Sequence, residues 1–383
     1  RARLSAIGFR LSAPGFSPTR CVIDAPTTRP DIRIGAKETP IFHPGAGAMA
    51  VRRAAVLVGA LTLQCVGCTA NRFPVLEGPY LGQTPPGQVP ELFAPGVIST
   101  GMDDLNAVFS ASGTEFFFSV KLPNRGRHVM LAMTLERGRW SAPTVLPFSG
   151  RYNDADPALS PDGKTLYFAS SRPLAPDAPE KDWDIWAVDR TAGGWGEPRR
   201  LDAPVNSEAM EVYPSFAANG TMYFSSSRSV GTSSGGIFRA VPAAGRYPTV
   251  EVFDERIVSE YGAGDVFIAP DERTIIFSSS RAGGHGNSDL YVSFRRGDGT
   301  WAAPQNLGPA INSPYQEYCP TLSPDGKYFF FSSYQRPEAA PVPAMRSLDD
   351  IRRIYAAPHF GTGDVYWVDA AVIDALNTAS GRE

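Results

Sequence analysis

Beyond residue 68 the chain has a single cysteine, Cys319, so no intrachain disulfide can staple it and packing alone must hold it together. Histidine is as scarce: His128, His285 and His359 stand in separate loop-like stretches with no HExxH and no i, i+4 partner, which excludes the usual helical zinc-enzyme pattern. The one prominent apolar run, ending near residue 67, is about 15 residues long, short of the roughly 20 needed to cross a bilayer. Long helices are missing too, because 37 Gly and 35 Pro punctuate 383 residues too often for them. Positive charge is also in short supply. The first 68 residues hold 9 of the 36 Lys and Arg and 3 of the 39 Asp and Glu, which leaves 27 basic against 36 acidic residues. Such a surface repels phosphate backbones, so nucleic acid is excluded as a partner.

The first methionine is Met49, followed by "AVRRAAVLVGALTLQCVGC", a basic start, an apolar run and a small-residue end that read as an export signal over 49–68. Residues 1–48 have no clean strand or helix period and are expected to lie outside the native protein. Cys65 and Cys68 form a CxxC, but no second pair follows at zinc spacing. "CVGC" resembles the lipobox of bacterial lipoproteins, with Cys65 where that pattern favours Leu. The resemblance implies lipidation at Cys68 and a membrane attachment through the lipid alone; simple cleavage after Ala70 is the alternative. Proline-rich "LGQTPPGQVP" then makes 69–89 a tether.

What the chain does have is a repeat. "AVFSASGTEFFFS" from Ala107, "PALSPDGKTLYFAS" from Pro157, "PSFAANGTMYFSS" from Pro214, "VFIAPDERTIIFSS" from Val266 and "PTLSPDGKYFFFSS" from Pro320 follow one another at steps of 50, 57, 52 and 54 residues. A period near 50 signals a propeller or solenoid. Each copy reads as an apolar strand, a turn such as Pro161, Asp162 and Gly163, an aromatic strand, a loop, a third strand such as "SDLYVSF", and a closing strand such as "TWAAPQNL". A small sheet of this kind is apolar on both faces and must bury them against its neighbours. The fifth copy lacks a closing strand, and "PELFAPGVIST" at 90–100 matches the missing piece. The expectation is an all-β, five-bladed β-propeller of four-stranded antiparallel blades over 90–378, its ring closed by an N-terminal strand.

"SPDGKTLYFASSR" and "FSSSRAGGHGNSDLYVS", together with the later "PQNLGPAINSPYQEYCPTLSPDGK", resemble the TolB-type, WD-like propeller repeat of bacterial periplasmic and outer-membrane proteins. Blades one and three depart from it with "SASG" and "AANG" for "SPDG". The resemblance implies an exported protein of the periplasm or outer membrane, serving as a binding platform, part of an envelope complex or an attachment to an enzyme.

Three residues before each aligned start lie Asp104, Asp154, Glu211 and Glu317; one residue before lie Asp156 and Asp265. Residues two apart in a strand share a face. The six are therefore expected to form one acidic ring near the axis, since first strands line a propeller's channel. Like charges so close need raised pKa values, a cation such as Ca²⁺, or a basic partner. The blander reading is that they cap strand starts or pair with Arg172, Arg228 and Arg281, which end "SSR" segments. Those arginines are expected to bridge to the next blade, and Trp140, Trp195 and Trp301 to pack on outer strands. "GTSSG" at 231–235 fits a nucleophile elbow in letters only, because it lies between two strands rather than between strand and helix. Insertions at "PLAPDAPEKDWD" and "PEAAPVPAMRSLDDIRRIYAAPHFGTGD" gather on one rim, and Ser347, Leu348, Ile351 and Ile354 suit a short capped helix. The function read from these features is a noncatalytic binding or scaffolding module of the cell envelope. Its partner, an envelope protein or glycan, would meet the acidic channel mouth or the insertion-bearing rim. The alternative is a glycan-active enzyme using channel carboxylates.

Overall fold

Each copy folds as one antiparallel sheet whose first strand lies innermost. The computed structural model describes residues 73–380 apart from 123–125, 176, 232–234, 255–256, 258–261, 336–344 and 360–361. The export-signal segment, the proposed lipid site Cys68 and the serines of "GTSSG" lie outside the described residues.

The outermost strand of the last sheet comes first in the chain: β1 (Glu91–Leu92). Blade one is β2 (Asp103–Phe109), β3 (Glu115–Lys121) and β4 (His128–Glu136), with two short outer pieces, β5 (Arg139–Trp140) and β6 (Thr144–Val145). Blade two is β7 (Asp154–Leu159), β8 (Thr165–Ser170) and β9 (Asp184–Thr191), edged by β10 (Gly194–Trp195) and β11 (Arg199–Arg200). Blade three runs β12 (Glu211–Phe216), β13 (Met222–Ser226), β14 (Gly236–Ala243) and β15 (Arg246–Val252). Blade four runs β16 (Gly264–Ile268), β17 (Thr274–Ser279), β18 (Asp289–Phe294) and β19 (Gln305–Asn306). Blade five has β20 (Glu317–Leu322), β21 (Tyr328–Ser333) and β22 (Asp364–Asp369), with β1 on its outer edge, Glu91 opposite Trp367 and Leu92 opposite Tyr366. Two α-helices, α1 (Leu348–Tyr355) and α2 (Ala371–Ser380), and a short 3₁₀ turn at Pro79–Gly82 complete the described elements.

The aromatic runs explain the stacking. Successive side chains of a strand point to opposite faces. Phe329 and Phe331 therefore pack toward blade four, with Ile276, Leu290 and Val292, while Phe330 packs toward blade one, with Phe109 and Phe116. Phe116 and Phe118 share that second cluster, and Phe117 turns to blade two and meets Phe168. One apolar cluster fills each of the five blade interfaces, the interface of blades five and one included. Truncating one of these buried phenylalanines to Ala would cost roughly 3–5 kcal/mol.

Gly113, Gly163 and Gly326 hold φ of 68°, 68° and 71° in the turns between first and second strands, the left-handed region that favours glycine there. Trp140 and Trp301 are buried on outer strands, and Trp195 lies under Arg190 with its guanidinium 4.2 Å from the ring centroid. Ser347 caps α1, accepting from the Asp350 N–H. Residues from Phe73 to Val89, expected as a tether, are docked on the ring: Leu81 is buried, Leu76 O accepts from Trp140 N, and the Tyr80 ring packs edge-on against Phe109 and Tyr328. The C-terminal "AAVIDALNTAS" carries no strand but makes α2, whose Ile373 and Leu376 pack on the interface of blades four and five.

Candidate functional site

The first strands share a feature that period-two reasoning misses. In each, a β-bulge interrupts the pairing with the second strand, and a non-glycine residue inside it has positive φ: Asn106 (65°), Asp156 (56°), Tyr213 (52°), Asp265 (43°) and Cys319 (51°). Each such residue costs about 1–3 kcal/mol and persists only where its surroundings enforce it. The bulge turns that side chain off the face used by the residue two before it, so the six expected acids do not form one ring. They divide into two sets.

Asp154, Glu211 and Glu317 are fully buried and tied to the loops of their own blades. Asp154 Oδ1 accepts from Arg172 Nη1 at 2.6 Å and from Ser170 Oγ at 2.7 Å. Glu211 Oε1 accepts from Ser207 Oγ at 2.7 Å, Ser226 Oγ at 2.8 Å and Arg228 Nε at 3.2 Å. Glu317 takes the Ser313 N–H and hydroxyl at 2.8 and 2.5 Å and the Ser333 hydroxyl at 2.6 Å, with no arginine partner among the described residues. Arg172 and Arg228 thus pair within their own blades, 18 and 17 residues away, rather than with the next blade as expected, because the first strand's start and the second strand's end are hydrogen-bonded neighbours. Blade four has Ala263 at the acidic position, and Arg281 there donates to Ser279 Oγ and Ile257 O instead. Asp104 is the odd member. It accepts from Thr100 N and Oγ at 2.7 Å, but its Oδ1, like Oδ1 of Asp364, has no partner among the described residues. Burial pushes Asp104 up to about 8 and Asp364 up to about 7, and the charge of Asp103 adds to both.

The second set meets at the axis. Asn106, Asp156, Tyr213, Asp265 and Cys319 form the floor of a cavity of about 310 Å³. Val108, Leu159, Phe216, Phe267 and Leu322 make its walls, and the turn residues Ala111, Pro161, Ala218, Pro270 and Pro324, one from each blade, ring its mouth. Asn106 Nδ2 donates to Asp156 Oδ1 at 3.4 Å, the Cys319 N–H donates to Asp265 Oδ2 at 3.2 Å, and the Cys319 thiol reaches the Tyr213 hydroxyl at 3.6 Å. Asn106 Oδ1 is buried with no partner among the described residues. Burial first, then the charge of Asp265, pushes the Asp156 carboxyl up to about 8; burial pushes Asp265 up to about 7. The Cys319 thiol is raised well above its ordinary value, chiefly by burial, which makes it an inert neighbour rather than a nucleophile.

Sequence reasoning placed Asp156 and Asp265 at the axis but overlooked Asn106, Tyr213 and Cys319. The signal was present: all five occupy the residue before the aligned start, and all five are polar or polarisable. On the opposite face a serine-rich cleft between blades three and four shares Tyr213 and Asp265 with this floor. Among the described residues no three His, Cys, Asp or Glu side chains are placed to hold a metal ion.

The fold and this axial floor together define a five-bladed β-propeller with a closed-ended apolar funnel. No protein-family model matches the chain, and no curated protein does. Among solved structures it is similar to TolB from Acinetobacter baumannii, with 14% identity, a TM-score of 0.40, and 70% of this chain and 57% of that one covered. It is also similar to an alpha-L-arabinofuranosidase from Lactobacillus brevis, with 12% identity, a TM-score of 0.41, and 70% and 90% covered. The tricorn protease matches 60% of this chain over 24% of its own, with 13% identity and a TM-score of 0.39. The chain thus spans a little over half of the TolB structure.

Proposed function

We propose that this propeller is a noncatalytic binding module of the bacterial cell envelope, exported and lipid-anchored at Cys68, which engages an envelope protein or glycan through its axial funnel. The observation that carries this reading is the make-up of the funnel. Its walls and mouth are mostly apolar, and its only carboxyl groups among the described residues, Asp156 and Asp265, sit on the buried floor. Apolar walls with a few convergent polar groups at the bottom are the usual form of a ligand pocket.

A glycan-active enzyme needs an ionised carboxylate on one side of the scissile bond and a protonated one on the other. Here the two acids lie on one floor, the charge of one raises the other, and both are held above the usual carboxylate range. Three of the remaining acids of the first strands support the scaffold: Asp154, Glu211 and Glu317 fasten loops. Asp156 and Asp265 are the proposed ligand contacts.

Affinity capture from intact envelopes with the wild-type chain and with Asp156→Asn tests the reading. Capture of a partner that the variant loses supports it. Cleavage of a glycan panel by the wild-type chain, abolished in Asp156→Asn or Asp265→Asn, would replace it with the enzymatic reading.

A further inference from the structure

We infer that the axial floor binds an ammonium group carried on an apolar stem, its N–H donors directed at Asn106 Oδ1 and at the carboxyls of Asp156 and Asp265. This deepens the binding reading and rests on it. Two observations point to it independently. The first is the acceptor set: an ammonium has three donors and no acceptor, and the floor offers two carboxyl groups plus a buried amide oxygen that has no partner among the described residues. The second is the company those oxygens keep. Among the described residues none lining the cavity is Lys, Arg or His, so the floor's acids have no cation there, while the walls above them are mostly aliphatic and aromatic. A buried like-charged pair is relieved by a cation brought in from outside, and here the walls suit the stem that delivers it. The apolar walls are what favour an organic cation over a bare metal ion.

Among the described residues, the groups acting on the pair come from all five blades. Asp156 meets Asp265, the Asn106 amide and the Tyr213 N–H; Asp265 meets the Tyr213 hydroxyl, the Cys319 N–H and Ser278. Tyr213 and Cys319 are both shifted upward and stay neutral near neutral pH. Ionisation of the carboxyls is therefore what the ammonium gains from. Binding strengthens as pH rises through about 7 to 8 and weakens again only as the amine itself loses its proton, near about 10.

The test is calorimetric titration of the full chain with 2-phenylethylamine, with its isostere 2-phenylethanol, and with Nα-acetyl-lysine methylamide, which carries the same group as a partner's lysine would. The expected result is that at least one of the two amines binds roughly ten-fold or more tighter than the alcohol, the margin of a charge-assisted hydrogen bond. That preference grows from about pH 6 to about pH 8.5 and disappears in Asp156→Asn and Asp265→Asn. Thermal melts of both variants establish that they are folded. Which amine binds distinguishes a free amine from a lysine side chain. Equal binding of amine and alcohol overturns the inference and leaves the binding reading standing, as does silence of all three probes while Asp156-dependent capture persists. Silence together with loss of that capture result overturns both.

Discussion

Asp154 and Asp156 stand two residues apart on the same strand, both buried, yet the chain uses them in opposite ways. Asp154 is saturated, with Arg172 at 2.6 Å and Ser170 at 2.7 Å. Asp156 has a long bond from Asn106 and the Tyr213 N–H, both from neighbouring blades, and the charge of Asp265 against it. The same contrast separates Glu211 and Glu317, each enclosed by hydroxyls and N–H groups of its own blade, from Asp265, which takes the Tyr213 hydroxyl and the Cys319 N–H from the blades on either side. An acid that recurs at a fixed place in a repeat is thus no mark of a site by itself. What distinguishes the two sets is whether the blade supplies the acid's partners.

The sharpest way to break this contrast is to remove a member of the saturated set. Asp154→Ala leaves the buried Arg172 guanidinium without its carboxylate and should cost roughly 3–5 kcal/mol, read as a lowered urea midpoint. A loss below about 1 kcal/mol would mean that water reaches this pair as it does an exposed one.

The axial set should respond with the opposite sign. The ordinary carboxylate value of about 4 rises to about 8 for Asp156 in the folded chain. Between those values the native state holds a proton that the unfolded chain releases, so Asp156 contributes stability below about pH 4 that is lost as pH rises through about 8. Asp156→Asn should match the wild type at low pH and exceed it at about pH 8.5, by about 1.4 kcal/mol for every tenfold by which the folded chain weakens this acid. Parallel stability-versus-pH curves for the two proteins would contradict the assignment.

A smaller effect separates blades two and four. Among the described residues Arg281 has no carboxylate partner, unlike Arg172 and Arg228, and it lies over Phe277 and Tyr291, 5.2 and 4.8 Å from their centroids. Arg281→Ala should cost about 1–2 kcal/mol, measurably less than Arg172→Ala, which strands the buried Asp154. Equal losses would show that the carboxylate adds nothing to the clamp.

The architecture was legible because it is written in repeated local chemistry. Pro161, Asp162 and Gly163 announce the turn, and runs such as Phe329, Phe330 and Phe331 announce strands buried on both faces. The site was only half legible. Asp156 and Asp265 stood out as charged, whereas Asn106, Tyr213 and Cys319 hold the same place with unlike side chains. Nothing in those letters reveals a left-handed bulge, since none of the five is glycine. The same bulge defeats the rule that residues two apart share a face, on which the single acidic ring was based. Helix α2 was missed because "AAVIDAL" continues the apolar run of β22. Its start shows only in the Asp369 carboxylate, which accepts from the Ala371 N–H at 2.9 Å.

The most direct measurement is a ¹³C carboxyl NMR titration of the full chain, with Asp156→Asn and Asp265→Asn used to assign the two resonances. The account predicts that both groups titrate well above the ordinary aspartate range, near about 8 and about 7, and that removing Asp265 lowers Asp156. Two independent titrations near about 4 would contradict it.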